Sequence, residues 1–270
     1  MQNPETITVI KSGKESNPRN RILIVTPTLG IVRMEWALAR WGQAIPCNWS
    51  ASYATLGIGT QVPMHYLVAD AQNLGCKDVI EKDYEWMLLW EDDVVAPPDA
   101  LLRLNIYMRK ADIPIVSGLY FLKSPLTEPV LYRGLGTGAY TDFKIGDLVW
   151  VDGVPTGFLL IHNSVIKLMW EESEEYQVLG GIKTRKIFET PAKVMYDVNT
   201  KTFSCGQGTS DLNWCHRVIE EKILQRSGWK KIAKKKYPFL CDTNIFCQHI
   251  DLPTGRVFPG GQRPIKGQKQ

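Results

Sequence analysis

Residues 86–104 read WMLLWEDDVVAPPDALLRL, and no other stretch of the chain restricts its fold as strongly. Five consecutive large apolar residues do not alternate with polar ones, so they fit a strand covered on both faces. Such strands belong to the sheets of α/β proteins, layered by helices on either side. The strand then runs into Glu91, Asp92 and Asp93. Three carboxylates crowded at the end of a buried strand are destabilising unless something positive sits beside them. In open α/β sheets ligands bind outside the carboxyl ends of the strands, which is where the triplet stands.

The flanking sequence keeps this rhythm. RILIVTPT (21–28) reads as a buried strand stopped at Pro27, and IVRMEWALARWGQAI (31–45) has apolar residues at helical spacing up to Gly42. PMHYLVADAQNLG (63–75) opens with proline and closes with glycine, the expected order for a helix. PPDALLRLNIYMRKA reads as a helix with Leu101, Leu104 and Met108 on one face, and IPIVSGLYF (113–121) and VPTGFLLI (154–161) as further strands. TSDLNWCHRVIEEKILQ (209–225) predicts one helix capped by Thr209 or Ser210. Segments 122–153 and 171–208, rich in Gly, Thr, Tyr and mixed charge, read as long loops or partly mobile segments. Strand and helix in alternation predict an α/β fold with a mostly parallel, Rossmann-like sheet flanked by helices in a single domain. We expect an arm over 1–20, the domain over 21–251 (halves 21–121 and 122–251) and a tail over 252–270.

At 270 residues and 44% hydrophobic, the chain can bury a sizeable core. Its apolar runs are too short to cross a bilayer, and no run of signal-peptide length follows the opening charges. Six widely spread cysteines (Cys47, Cys76, Cys205, Cys215, Cys241, Cys247) suit free thiols in a reducing compartment. Together these predict a cytoplasmic protein whose Asn48-Trp49-Ser50 sequon is silent. A net charge of +4 does not announce nucleic-acid binding. From Lys222 to Lys236, however, basic residues stand without an acidic one, either a solvated surface or a landing place for a polyanion.

Alternate residues of an extended segment project to the same side, which lets Glu91 and Asp93 face one centre while Asp92 points elsewhere. Hard carboxylate oxygens favour Mg2+ or Mn2+, and either ion could in turn hold a diphosphate. Asp211 stands in a first helical turn, where the dipole favours negative charge, and a carboxylate there can act as general base toward a hydroxyl. The plainer readings are a solvated acidic turn and a capping carboxylate.

An apolar strand, an acidic triplet, prolines and an amphipathic helix, followed by SDLNWCHRV (210–218) and CQHID (247–251), resemble the GT-A fold glycosyltransferases, particularly the family-2-like group. IVTPT (24–28), VSGLYFLK (116–123) and VDGVPTGFLLIHNSVI (151–166) resemble the same family in the expected order, so the likeness covers about residues 21–251. It implies a metal-dependent glycosyltransferase using a nucleotide-sugar, UDP- or GDP-linked. Thr26, Pro27, Thr28, Glu91, Asp92 and His65 would meet the nucleotide-sugar. Asp93, His249 and Glu91 would hold Mn2+ or Mg2+, and Asp211 would be the base of an inverting single displacement. Trp214 and Gly157 would stand on the acceptor side. Ser210 and Asn213 stand where the family has acidic residues, and Pro63-Met64-His65 where it often has an Arg-Asn pair. The acceptor hydroxyl could belong to a modified DNA base, a glycan or a protein.

Two other functions remain open at this point. One is nucleotidyl or phosphoryl transfer by the acidic cluster, although no phosphate-cradling glycine motif is intact. The other is nucleic-acid binding through the 222–236 stretch, which leaves the triplet unexplained. Zinc on Cys241, Cys247 and His249 fits none of the usual paired spacings.

Overall fold

The structure, a computed structural model, describes residues 22–46, 58–124, 128–134, 138–197 and 201–260, without the side chains of 58–59, 192–197 and 202–207. The expected arm, the sequon, Cys47 and the Cys205 side chain lie outside the described residues. In chain order the elements are β1 (Ile22–Val25), α1 (Met34–Trp41), β2 (Ile58–Gln61), α2 (Val68–Glu81), β3 (Trp86–Trp90), β4 (Val94–Val95), α3 (Ala100–Lys110) and β5 (Ile115–Leu119). There follow β6 (Leu148–Val151), β7 (Phe158–His162), α4 (Asn163–Glu172), β8 (Glu175–Gln177), β9 (Lys183–Arg185), β10 (Ala192–Asp197) and β11 (Thr202–Gln207). The described chain closes with α5 (Ser210–Glu220), α6 (Ile223–Arg226), α7 (Lys230–Ala233), β12 (Phe239–Phe246), β13 (Gln248–Ile250) and β14 (Val257–Phe258).

The fold is mixed α/β around one 7-stranded sheet, ordered β2-β1-β3-β7-β5-β12-β6. β1 runs parallel to β2 and β3, and β12 parallel to β5. β7 is antiparallel between β3 and β5, and β6 antiparallel on β12. Thus β1, β2, β3, β5 and β12 share one direction, and their carboxyl ends form one edge. The central strands are buried on both faces, as the unbroken apolar run of β3 predicts. Their alternation divides the core into two layers. Leu23, Val25, Met87 and Leu89 enter one, while Ile22, Ile24, Trp86, Leu88 and Trp90 enter the other with α3. Each such side chain contributes roughly 1.5–3 kcal/mol on burial, which holds in place a strand that ends on three carboxylates.

Several expectations change. The helix expected over 63–75 is instead α2, which starts five residues later, because Met64 bridges Thr28 in parallel and His65 turns the chain with a φ of 65°. Gly75 is no stop signal but lies inside α2, where a Cβ would come within 2.7 Å of the Val25 side chain. In α1 only Trp36 is buried; Met34, Leu38 and Trp41 point outward. The single helix expected over 209–225 breaks at Lys222, whose φ of 53° turns the chain so that Ile223 and Leu224 enter the core. Thr209 occupies the N-cap of α5 without a side-chain hydrogen bond. The expected loops at 171–208 contain two hairpins, β8–β9 and β10–β11. Among the described residues no helix is long and apolar enough to cross a membrane. Cys76, Cys215, Cys241 and Cys247 are buried free thiols.

Candidate active site

The triplet meets the C-terminal part of the chain through a small sheet, β14-β13-β4. β13 pairs antiparallel with β4, setting His249 opposite Val94, and the Ile250 N–H donates to the Asp93 carbonyl at 2.8 Å. His249 Nδ1 lies 2.8 Å from the Phe121 carbonyl, an oxygen that only accepts, so Nδ1 carries the proton. Its Nε2 lies 3.3 Å from Asp93 Oδ2, a contact that needs either a proton on that nitrogen or a cation between the two. Lys123, just beyond β5, also pairs its ammonium with Asp93 Oδ2. Burial pushes the Asp93 carboxyl up, but the hydrogen bonds and charges of His249 and Lys123 outweigh it and hold the carboxyl below its ordinary value. Asp93 Oδ1 is buried without a hydrogen bond.

Glu91 is positioned by its backbone. Its N–H donates to the Gly157 carbonyl at 2.9 Å, and its carbonyl accepts from Trp36 Nε1 at 2.8 Å. Gln72 donates to Thr156 Oγ1 at 3.0 Å, and Thr156 donates to Glu91 Oε1 at 3.3 Å. Burial above all, then the charges of Asp93, Asp211 and Asp92, push the Glu91 carboxyl up to about 8. Glu91 and Asp211 line a cleft of about 400 Å3 with Val68, Thr156, Thr190, Gly208, Thr209 and Ser210. Asp211 stands in the first turn of α5, and Asn73 helps shape the wall near Thr190. From inside α2, its buried side chain accepts from the Ile187 and Phe188 N–H groups and donates to the Phe188 carbonyl.

On the other side of the triplet, Asp92 turns toward β1. Burial raises its carboxyl, opposed by a hydrogen bond with Thr28. Its Oδ2 and the Thr26 hydroxyl are buried without partners, and Pro27 lies buried between the two threonines. His65 is exposed, with a φ of 65°, and its N–H donates to the Thr28 carbonyl at 3.0 Å. The carboxyl ends of β1 and β3 thus bring Thr26, Pro27, Thr28, Asp92 and His65 to one place.

The acceptor-side expectations need correction. Trp214 is 1% exposed and stacks between Phe188 and Phe239 in the core, leaving no face for a sugar. Gly157 is buried, and a Cβ there would lie 2.4 Å from the Tyr120 hydroxyl. It acts by letting Tyr120 and Glu91 close on one backbone segment. The basic stretch stands elsewhere. Trp229 within it bonds Ser164 and meets the His162 ring, where β3 begins, whereas the carboxylates stand where β3 ends. Sequence reasoning missed Lys123, Tyr120, Thr156 and Thr190. Tyr120 and Lys123 stand inside VSGLYFLK and Thr156 inside VDGVPTGFLLIHNSVI, segments read only as a whole, while Thr190 lay outside any motif.

Among the described residues no three His, Cys, Asp or Glu side chains are grouped to hold a metal. Glu91, expected as a third ligand, is engaged by Thr156 instead. The remaining pair, Asp93 and His249, with one buried unpartnered carboxylate oxygen, still fits a divalent ion. Magnesium-type ions commonly take one or two protein carboxylates and complete their shell with water and substrate phosphates. The pair therefore suits an ion that arrives with a diphosphate rather than a closed structural metal.

No protein-family model matches the chain, and no curated protein matches it. Among solved structures, A197 from STIV is similar over 88% of this chain and 92% of its own, at 15% identity and a TM-score of 0.49. S. aureus TarS in complex with UDP is similar over 54% of this chain and 48% of its own, at 11% identity and a TM-score of 0.34. A glycosyltransferase involved in the glycosylation of the major capsid of PBCV-1 is similar over 56% of this chain and 66% of its own, at 14% identity and a TM-score of 0.30. None of the three reaches a TM-score of 0.5, so the chemistry of the site rests on its own geometry.

Proposed function

We propose that this chain is a metal-dependent glycosyltransferase of GT-A type, moving a sugar from a nucleoside-diphosphate sugar to a hydroxyl. The observation that carries the reading is the convergence of Glu91 and Asp211 on one cleft, with the Asp93–His249 pair beside it. Asp92 and Asp211 stand near Asp93, so a diphosphate entering without a cation would meet repulsion. A divalent cation would neutralise the diphosphate and assist its departure as a Lewis acid. Asp93 and His249 would hold that ion.

The chain's own groups do the rest. Thr26, Pro27, Thr28 and Asp92 form the nucleotide side, with His65 at its rim. Glu91, protonated at neutral pH, donates a hydrogen bond to a donor hydroxyl. Asp211 accepts the proton of the acceptor hydroxyl as that oxygen bonds to the anomeric carbon and the bond to the diphosphate breaks. One displacement of this kind inverts the anomeric centre. The acceptor is a hydroxyl small or extended enough to reach the Thr190–Asp211 wall.

The test is a melting-temperature panel of UDP, GDP, CDP, dTDP and ADP, each with and without Mn2+, on wild type and Asp93→Ala. A nucleotide at about a hundred times its Kd stabilises the fold by about 2.7 kcal/mol. We expect one nucleotide to act only with Mn2+ and the variant to lose the effect. Absence of any shift in wild type would overturn the reading.

A further inference from the structure

Lys123 has no part in the scheme above, although its ammonium pairs with the carboxylate proposed to hold the cation. It pairs with Asp93 Oδ2, the same oxygen that His249 Nε2 faces. Its charge also acts on Asp92 and Asp251. The Lys123 and Asp93 side chains are only 28% and 16% exposed, so water screens their attraction incompletely. A divalent ion on Asp93 and His249 would be repelled by an ammonium held against the same carboxylate oxygen. Lysine suits such a place because its compact charge rides on a flexible stem and can move without disturbing the backbone.

We propose that Lys123 is an exchangeable counter-ion: it holds Asp93 when no divalent cation is bound, yields the carboxylate when one binds, and then pairs with the anionic diphosphate. Cation and nucleotide thereby strengthen each other's binding, and the reciprocal coupling runs through one side chain. This inference rests on the donor-site reading above. Lys123 is a substrate-contacting residue in it, holding first Asp93 and then the diphosphate, without touching the reacting carbon.

The test is calorimetric titration of Mn2+ into wild type, Lys123→Met and Lys123→Arg, alone and with UDP or GDP present. Removing the competing ammonium should tighten binding of Mn2+ alone by about fivefold and shrink the gain from nucleotide by a similar factor. The arginine variant keeps the competitor and should bind Mn2+ no better than wild type. In EDTA, Lys123→Met should melt below wild type, and Mn2+ alone should raise its Tm by more than it raises that of wild type. Unchanged or weaker Mn2+ binding by Lys123→Met would overturn the proposal. If wild type shows the nucleotide and Mn2+ response while Lys123→Met titrates like it, the counter-ion falls and the donor site stands. If Mn2+ tightens in Lys123→Met while no nucleotide binds either protein, the counter-ion stands and the donor-site reading falls.

Discussion

Replacing Glu91 with glutamine should change how stability depends on pH, in a direction the site fixes in advance. The Glu91 carboxyl stands at about 8 in the folded chain, against an ordinary 4.5. Below the lower value both folded and unfolded chains keep the proton, and its contribution is fully present. Between the two values the unfolded chain releases the proton while the folded chain retains it, so stability falls as pH rises. At about 1.36 kcal/mol per unit the whole window sets a ceiling of roughly 5 kcal/mol. Neighbouring carboxylates titrate with Glu91 and the cleft admits water, so we expect a loss of about 2 kcal/mol from about pH 5 to about pH 8. Glu91→Gln keeps the hydrogen-bonding shape and cannot ionise. Urea denaturation of both proteins in EDTA across that range should show the variant gaining on wild type by this amount. Parallel stability profiles would refute the account of Glu91 as a protonated acid.

Trp214→Ala should cost about 3–5 kcal/mol in denaturant unfolding, because it empties the space between Phe188 and Phe239. A variant that stays stable but loses acceptor binding would restore Trp214 to the acceptor side. Gly157→Ala forces a Cβ to within 2.4 Å of the Tyr120 hydroxyl and displaces the segment that fixes Glu91. It should cost about 1–3 kcal/mol and weaken the Mn2+-dependent nucleotide shift in melting temperature. His249→Ala should abolish that shift while leaving a folded protein, as circular dichroism can verify.

The parts of this fold legible in the sequence are those set by local pattern. WMLLW fitted a strand buried on two faces, as it is, and its exit into carboxylates at a sheet edge marked the candidate site. Apolar spacing predicts a core-facing stripe, which Leu101, Leu104 and Met108 obey; in α1 the same spacing made a helix, but tertiary packing buries only Trp36 and leaves Met34, Leu38 and Trp41 outward. The cues at Pro63 and Gly75 misled because tertiary contacts used them otherwise, one in a bridge to β1 and one against Val25. Asp93 and His249 are 156 residues apart, and they meet through β4–β13 pairing and the hold of the Phe121 carbonyl on the His249 ring. Lys123 closed the family-like VSGLYFLK segment but was given no role of its own: a single lysine after a strand is unremarkable until the fold sets it on Asp93. Trp214 was expected on the acceptor side because it stands three residues past the candidate base, yet its side chain faces the core.

The central claim is glycosyl transfer with Asp211 as the base, and release of nucleoside diphosphate tests it most directly. UDP- and GDP-sugars would be incubated with Mn2+ and a mixture of hydroxyl acceptors, using wild type and Asp211→Asn. We predict nucleotide release by wild type from one donor, and a drop of about a hundredfold or more in the variant with its nucleotide-induced melting shift unchanged. Release that proceeds equally in Asp211→Asn would contradict the account.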